Sequence, residues 1–141
     1  MSKRDDLHFP VRRALEKEGW AITHDPIVIA FKDLRLKIDL AIERYFVAEK
    51  DGRKIAVEVK DFDRGAMASE LQKMIGQLQL YQWALDENSP GRDLYLAVSR
   101  TIFDEYIQKE KTAFHEIVKR LRINLIVCDI SEEVILQWIK Q

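Results

Sequence analysis

Two runs of strict alternation, meeting at Asp51-Gly52, constrain this chain more than any other feature. Over 35–48, Leu36, Ile38, Leu40 and Ile42 fall on one side, with Lys37, Asp39 and Ala41 on the other. Over 53–60, Ile55, Val57 and Val59 alternate with Ala56, Glu58 and Lys60. Successive side chains of an extended strand point to opposite faces, so a period of two predicts two strands with one apolar face each. Asp-Gly between such runs is a strong hairpin signal. The alternation predicts adjacent strands that carry Asp39, Glu58 and Lys60 on their polar sides.

The rest of the chain reads around this hairpin. Leu7, Val11, Ala14 and Leu15 predict a helix over 5–18, ended by Gly19. Short apolar runs at 20–23 and 27–31 predict two strands, with His24-Asp25-Pro26 as the turn between them. A long helix is expected over 66–87, with an apolar stripe of Leu71, Met74, Ile75, Leu78 and Leu85. A strand follows at 93–98, a second long helix at 101–121 and a strand at 123–128. The tail, 132–140, fits strand and helix equally, because Val134, Leu136 and Trp138 alternate while Ile135 and Ile139 are spaced for a helix. Helices interspersed with strands predict an α/β sandwich with a mixed sheet. The length of 141 residues predicts one domain over 1–141.

Composition narrows the functional classes. With 47% apolar and 33% charged residues the chain can bury a core, which excludes a disordered or low-complexity class. Lys and Arg number 23 against 24 Asp and Glu, so no basic coat exists for nucleic acid. Nucleic-acid binding would need a local patch, an ion or a partner. No apolar run is long enough for a bilayer, and MSKRDDLHF lacks an apolar leader segment, so a cytoplasmic location without membrane association is expected. A single cysteine, Cys128, lies in an apolar run, excludes an internal disulfide and reads as a small buried hydrophobe.

Chemistry concentrates in 36–81. Glu58 and Lys60 are two apart and share one face, and the hairpin brings their strand beside Asp39. Two close carboxylates repel unless a cation lies between them. Mg²⁺ accepts a few carboxylates, keeps several waters and can neutralise charge on a phosphate. Lys60 beside it would orient a water or stabilise developing charge. Gln77 and Tyr81 are four apart and stack on one face of the long helix, at the border of its apolar stripe. Alone, Glu-x-Lys is usually an ordinary solvated strand face. The apolar neighbours Ile38, Leu40, Val57 and Val59 place it in a packed sheet instead. His24 reads as a turn residue and His115 as surface. Lys109, Lys111, Lys119, Arg120 and Arg122 form a loose basic strip that is either a solvated face or a phosphate contact. Trp83 and Trp138 read as core or as partner anchors.

Asp39, then Glu58-Val59-Lys60, then Gln77-x-x-x-Tyr81 resemble the PD-(D/E)xK nuclease superfamily, with Ile38 where the superfamily name has proline. The segments ALEKEGWAITHDP, IDLA, KIAVEVK, GQLQLYQWAL, LYLAV and VILQWI look like the XisH family, cyanobacterial controlling factors for excision of the fdxN element during heterocyst development. The resemblance implies a restriction-endonuclease-like sandwich with an αβββαβ core. It implies Asp39, Glu58, the Val59 carbonyl and, as an auxiliary, His8 as ligands of Mg²⁺ or Mn²⁺. Lys60 would be the catalytic lysine, supported by Gln77 and Tyr81. DNA, a XisI-type companion and a site-specific recombinase are the implied partners. A homodimer is expected where both strands are cut, since that needs two sites. Two functions follow: a metal-dependent DNA endonuclease, or a nuclease-fold accessory module that binds the companion or recombinase.

Overall fold

A computed structural model describes residues 3–44 and 52–141, with side chains over 6–41 and 52–141. In chain order the elements are helix α1 (Lys3–Lys17), strands β1 (Ala21–His24), β2 (Ile27–Phe31), β3 (Leu34–Ile38), β4 (Leu40–Arg44) and β5 (Arg53–Val59), and helix α2 (Met67–Asn88). Strand β6 (Asp93–Ser99), a short helix α3 (Arg100–Ile102) running into a π-turn at Phe103–Ile107, helix α4 (Ala113–Leu121), and strands β7 (Asn124–Asp129) and β8 (Val134–Ile139) complete it. Six strands form one mixed sheet in the order β1-β4-β5-β6-β7-β8, while β2 and β3 form a separate two-stranded ribbon. The β5-β6 and β6-β7 pairs are parallel, and the rest are antiparallel.

The expected αβββαβ order is present as α1, β1, β4, β5, α2 and β6, with the β2-β3 ribbon inserted between the first two strands. Two apolar layers hold the sheet. On one face α1 packs Leu7, Val11 and Leu15 against Leu40, Ile55, Val57, Tyr95 and Ile126. On the other, α2 and α4 pack Leu71, Met74, Leu78, Phe114 and Val118 against Ile38, Ala56, Leu96, Val98 and Leu125. Strand β5 thus alternates as read, with Ile55 and Val57 on the α1 face and Ala56 on the α2 face. Gly19 takes φ +90 after α1, a left-handed turn open to glycine without strain. Cys128 is buried in the α1 layer, and burial pushes its thiol up to about 12, so it packs as an apolar group.

Two expectations are corrected, and the tail, left open between strand and helix, is settled. The alternating run at 35–48 is two strands, not one, because the chain bends at Asp39 and passes from the ribbon into the main sheet. Ile38 therefore enters the α2 layer and Leu40 the α1 layer, rather than sharing a face. Residues 45–48 of that run, and Asp51 of the turn, lie outside the described residues. The helix expected over 101–121 is interrupted at 108–112, and Thr112 caps the second piece by accepting the His115 N–H at 3.1 Å. The tail is a strand, β8, antiparallel to β7, with Trp138 packed on Tyr95 and Trp20.

Leu40 is fully buried at the point where the chain enters the main sheet. Leu40→Ala is expected to cost about 2–5 kcal/mol, as other buried Leu→Ala changes do. Urea denaturation followed by circular dichroism checks this, and a loss within experimental error of zero would contradict the packing described.

Candidate active site

The β4-β5 register pairs Leu40 with Val57 and Ala41 with Ala56. Extended by one residue, it sets Asp39 opposite Glu58, at the end where β5 leaves the sheet. The bend lets Asp39 turn its carboxylate across the ladder, and Oδ2 accepts the Val59 N–H at 2.7 Å. The parallel pairing with β6 continues one residue further, through the Lys60 N–H to the Ala97 carbonyl at 3.2 Å. The Asp39 side chain on one side and the β6 backbone on the other thus fix the Glu58-Val59-Lys60 segment.

An open cleft forms at this end of the sheet, lined by Leu7, Asp39, Glu58, Val59, Lys60, Asp61, Glu70 and Gln77. Five of the site residues expected from the sequence meet here: Asp39, Glu58, Val59, Lys60 and Gln77. Tyr81 is buried one helical turn beyond Gln77, in the α2 layer. Its phenol is pushed up to about 12, first by burial and then by the negative charges of Glu58 and Asp39. That electrostatic reach places Tyr81 behind the carboxylates, and keeps its hydroxyl protonated at neutral pH.

Glu70 is the residue that sequence reasoning passed over. It sits in the first turn of α2, where the helix dipole favours a carboxylate, seven residues before Gln77 and so on nearly the same helical face. Its Oε2 is 3.6 Å from the Lys60 ammonium, and both side chains are only 18% exposed. The ammonium also lies 5.7 Å from the Phe62 ring centroid. A half-enclosed ion pair with an aromatic wall restricts the lysine to a few positions. The spacing from Gln77 was the available signal.

His8 stands apart. It does not line the cleft, although its neighbour Leu7 does. The imidazole is buried, and Nε2 donates to Asp25, at 3.0 Å from Oδ2 and 2.9 Å from Oδ1. Arg12 adds a bond to the same carboxylate at 2.6 Å. Burial alone would raise the Asp25 pKa, but the bonds from His8 and Arg12 outweigh it and hold the carboxyl below its usual range. Nδ1 is buried without a hydrogen-bond partner among the described residues. A carboxylate on one ring nitrogen, with the other left as an acceptor, is the way proteins orient a histidine ligand. Among the described residues, however, no three His, Cys, Asp or Glu side chains gather as a metal cage.

The expected ligands, the Asp39 and Glu58 carboxylates and the Val59 carbonyl, are hard oxygens, and Asp61 and Glu70 add two further carboxylates to the cleft lining. This set fits Mg²⁺ or Mn²⁺, which need few protein ligands, and does not fit a softer ion. Elsewhere, His24 is exposed at the end of β1 and contacts Thr23 at 3.2 Å. His115 is half-buried, with Nδ1 2.7 Å from the Ile107 carbonyl, and not simply on the surface. No helix among the described residues is long and apolar enough to cross a membrane.

The XisH family model matches residues 1–136. This chain belongs to the XisH family. Two solved structures agree with it closely. An XisH family protein from Nostoc punctiforme PCC 73102 is 39% identical and superposes with a TM-score of 0.85, over 96% of this chain and 100% of that one. A fdxN element excision controlling factor protein from Anabaena variabilis is 38% identical with a TM-score of 0.84, over 97% of this chain and 100% of that one. No curated protein matches. The mixed sheet flanked by helices is therefore the XisH fold.

Raising the Tyr81 pKa means that the folded state holds this proton more tightly than the unfolded state does. The contribution to stability is complete below the ordinary tyrosine pKa near 10 and is lost as pH rises through about 12. Titration of phenolate absorbance is expected to show one tyrosine ionising near pH 12 that disappears in Tyr81→Phe and moves down in Glu58→Gln. Loss of a phenol that titrates near 10 would contradict the geometry.

Proposed function

We propose that this XisH protein is a divalent-cation-dependent DNA endonuclease that serves excision of a DNA element. The observation that carries the proposal is the convergence of Asp39, Glu58 and Lys60 in one cleft at the end of β5. The named relative from Anabaena variabilis supports the excision-control role. A XisI-type companion and a site-specific recombinase are the partners that such a role implies.

Asp39, Glu58 and the Val59 carbonyl would hold Mg²⁺ or Mn²⁺, with His8 as an auxiliary donor if the first helix shifts toward the cleft. When bound, the ion supplies charge neutralisation at the scissile phosphate and lowers the pKa of a water. The chain's own residues do the rest. The Val59 N–H fixes one carboxylate oxygen of Asp39, a residue that lines the cleft. The Lys60 ammonium sits within reach of the same space, where it orients a water and offsets charge developing on a phosphate oxygen. Glu70 holds that ammonium in place, which lowers the entropic cost of positioning it. Gln77, exposed at the rim, offers an amide to the nucleic-acid backbone. Tyr81 remains a neutral donor behind the carboxylates.

A second reading has its own support. The chain is nearly neutral, and the Lys60 ammonium is already engaged by Glu70. Both features suit a module that works through a companion rather than by cutting.

Cleavage of plasmid and branched DNA with Mg²⁺ or Mn²⁺ decides between them. Glu58→Ala and Lys60→Ala are each expected to lower the rate by about 100-fold or more, the scale for removing one charge-stabilising group from an active site. Cleavage equal to that of the wild type in both variants would overturn the nuclease proposal. No cutting in any mixture, with a stable companion complex that survives Asp39→Ala, would establish the accessory module.

A further inference from the structure

The near-neutral chain needs a local basic surface if it is to hold DNA, and the loose strip on the second helical region does not provide a clean one. There Arg120 is paired with Glu116 at 3.0 Å and Arg100 with Asp104 at 3.6 Å. Lys109 and Lys111 flank Glu110. The β2-β3 ribbon is different. Its register pairs Val28 with Lys37 and Ala30 with Arg35. Side chains alternate, so these four form the outer face, and all four are exposed. The inner face, with Ile29 and Ile38, is buried in the α2 layer.

Arg35 and Lys37 have no ion-pair partner among the described residues, so both charges are open to a ligand. The other charges of the ribbon are at its turn. Lys32 is 74% exposed and makes a loose contact with Glu87 of α2 at 3.6 Å, and Asp33 is exposed beside it. The ribbon is firmly seated. Asn88 of α2 donates to the Ala30 carbonyl at 2.6 Å, and Phe31 packs on Trp83 with ring centroids 6.0 Å apart. Lys37 is two residues before Asp39, so its Cα is only about 7 Å along the chain from the cleft. Arg35 is about 7 Å further, close to two nucleotide steps along a duplex axis.

We propose that the outer face of the β2-β3 ribbon, through Arg35 and Lys37, is the surface that grips the phosphate backbone of duplex DNA and leads it to the cleft. The proposal rests on the nuclease reading above, and names the surface that reading requires. Exposed Val28 and Ala30 carry no charge that would repel a phosphate backbone. The contact is to phosphates, so it carries no base preference.

The test is fluorescence anisotropy of the full chain with a labelled mixed-sequence duplex, without divalent cation, over a range of salt concentrations. Each phosphate contact adds about 0.9 to the slope of log K against log salt concentration. Arg35→Gln/Lys37→Gln is expected to weaken binding at least about 10-fold at low salt and to lower the slope by nearly 2. Both residues point outward, so thermal unfolding of this variant should match the wild type. Lys109→Gln/Lys111→Gln is expected to leave the slope unchanged. Wild-type affinity and slope in the Arg35→Gln/Lys37→Gln variant would overturn the ribbon and leave the nuclease reading standing. An equal loss in the Lys109→Gln/Lys111→Gln variant would also overturn it, by making the attraction diffuse. If the wild-type chain binds no duplex at any salt concentration and cuts none, the nuclease reading itself fails.

Discussion

The structure depends on one hydrogen bond made where the chain changes sheets. Asp39 separates Ile38, buried under α2, from Leu40, buried under α1, and its carboxylate accepts the Val59 N–H. The bend sends consecutive apolar residues into opposite layers, which leaves a polar residue at the crossing with no apolar layer to enter. A charge-assisted bond to a strand N–H gives it a fixed place and closes the β5 ladder beyond its last β4 partner. Core packing on both sides then holds the carboxylate at the cleft.

The electrostatics of the cleft follow from that placement. Burial first, then the charges of Glu58 and Asp39, raise the pKa of the Tyr81 phenol behind them, so their negative charge is felt in the buried layer. Lys60 is the cation on the same side, and Glu70 draws it toward the start of α2. Four carboxylates, of Asp39, Glu58, Asp61 and Glu70, and one ammonium leave the cleft short of positive charge. A divalent cation, a phosphate-bound ion or a basic partner would each relieve it.

Much of this was legible in the sequence, and what was missed has physical reasons. Strict alternation in 53–60 read correctly, because β5 lies between two apolar layers and its polar residues fall at its end. The four-residue spacing of Gln77 and Tyr81 brought one to the rim and the other behind it. Alternation could not reveal the bend at Asp39, because Ile38 and Leu40 are both apolar whichever layer they enter. The gap in the second helical region escaped notice because Gln108, Lys109, Glu110 and Lys111 all favour helix, and only the cap at Thr112 marks the restart. Glu70 was passed over because a carboxylate in a helical first turn is favoured whatever its role. The bond between His8 and Asp25 joins residues 17 apart and needed the fold to become visible.

The most direct test is calorimetric titration of Mn²⁺ into the full chain and into Asp39→Asn and Glu58→Gln. Asparagine can still accept the Val59 N–H, so the bend survives the first change. The account predicts one saturable site in the wild type that is lost in both variants and kept in His24→Ala. Saturable binding that is unchanged in both carboxylate variants, or none in the wild type, would contradict it.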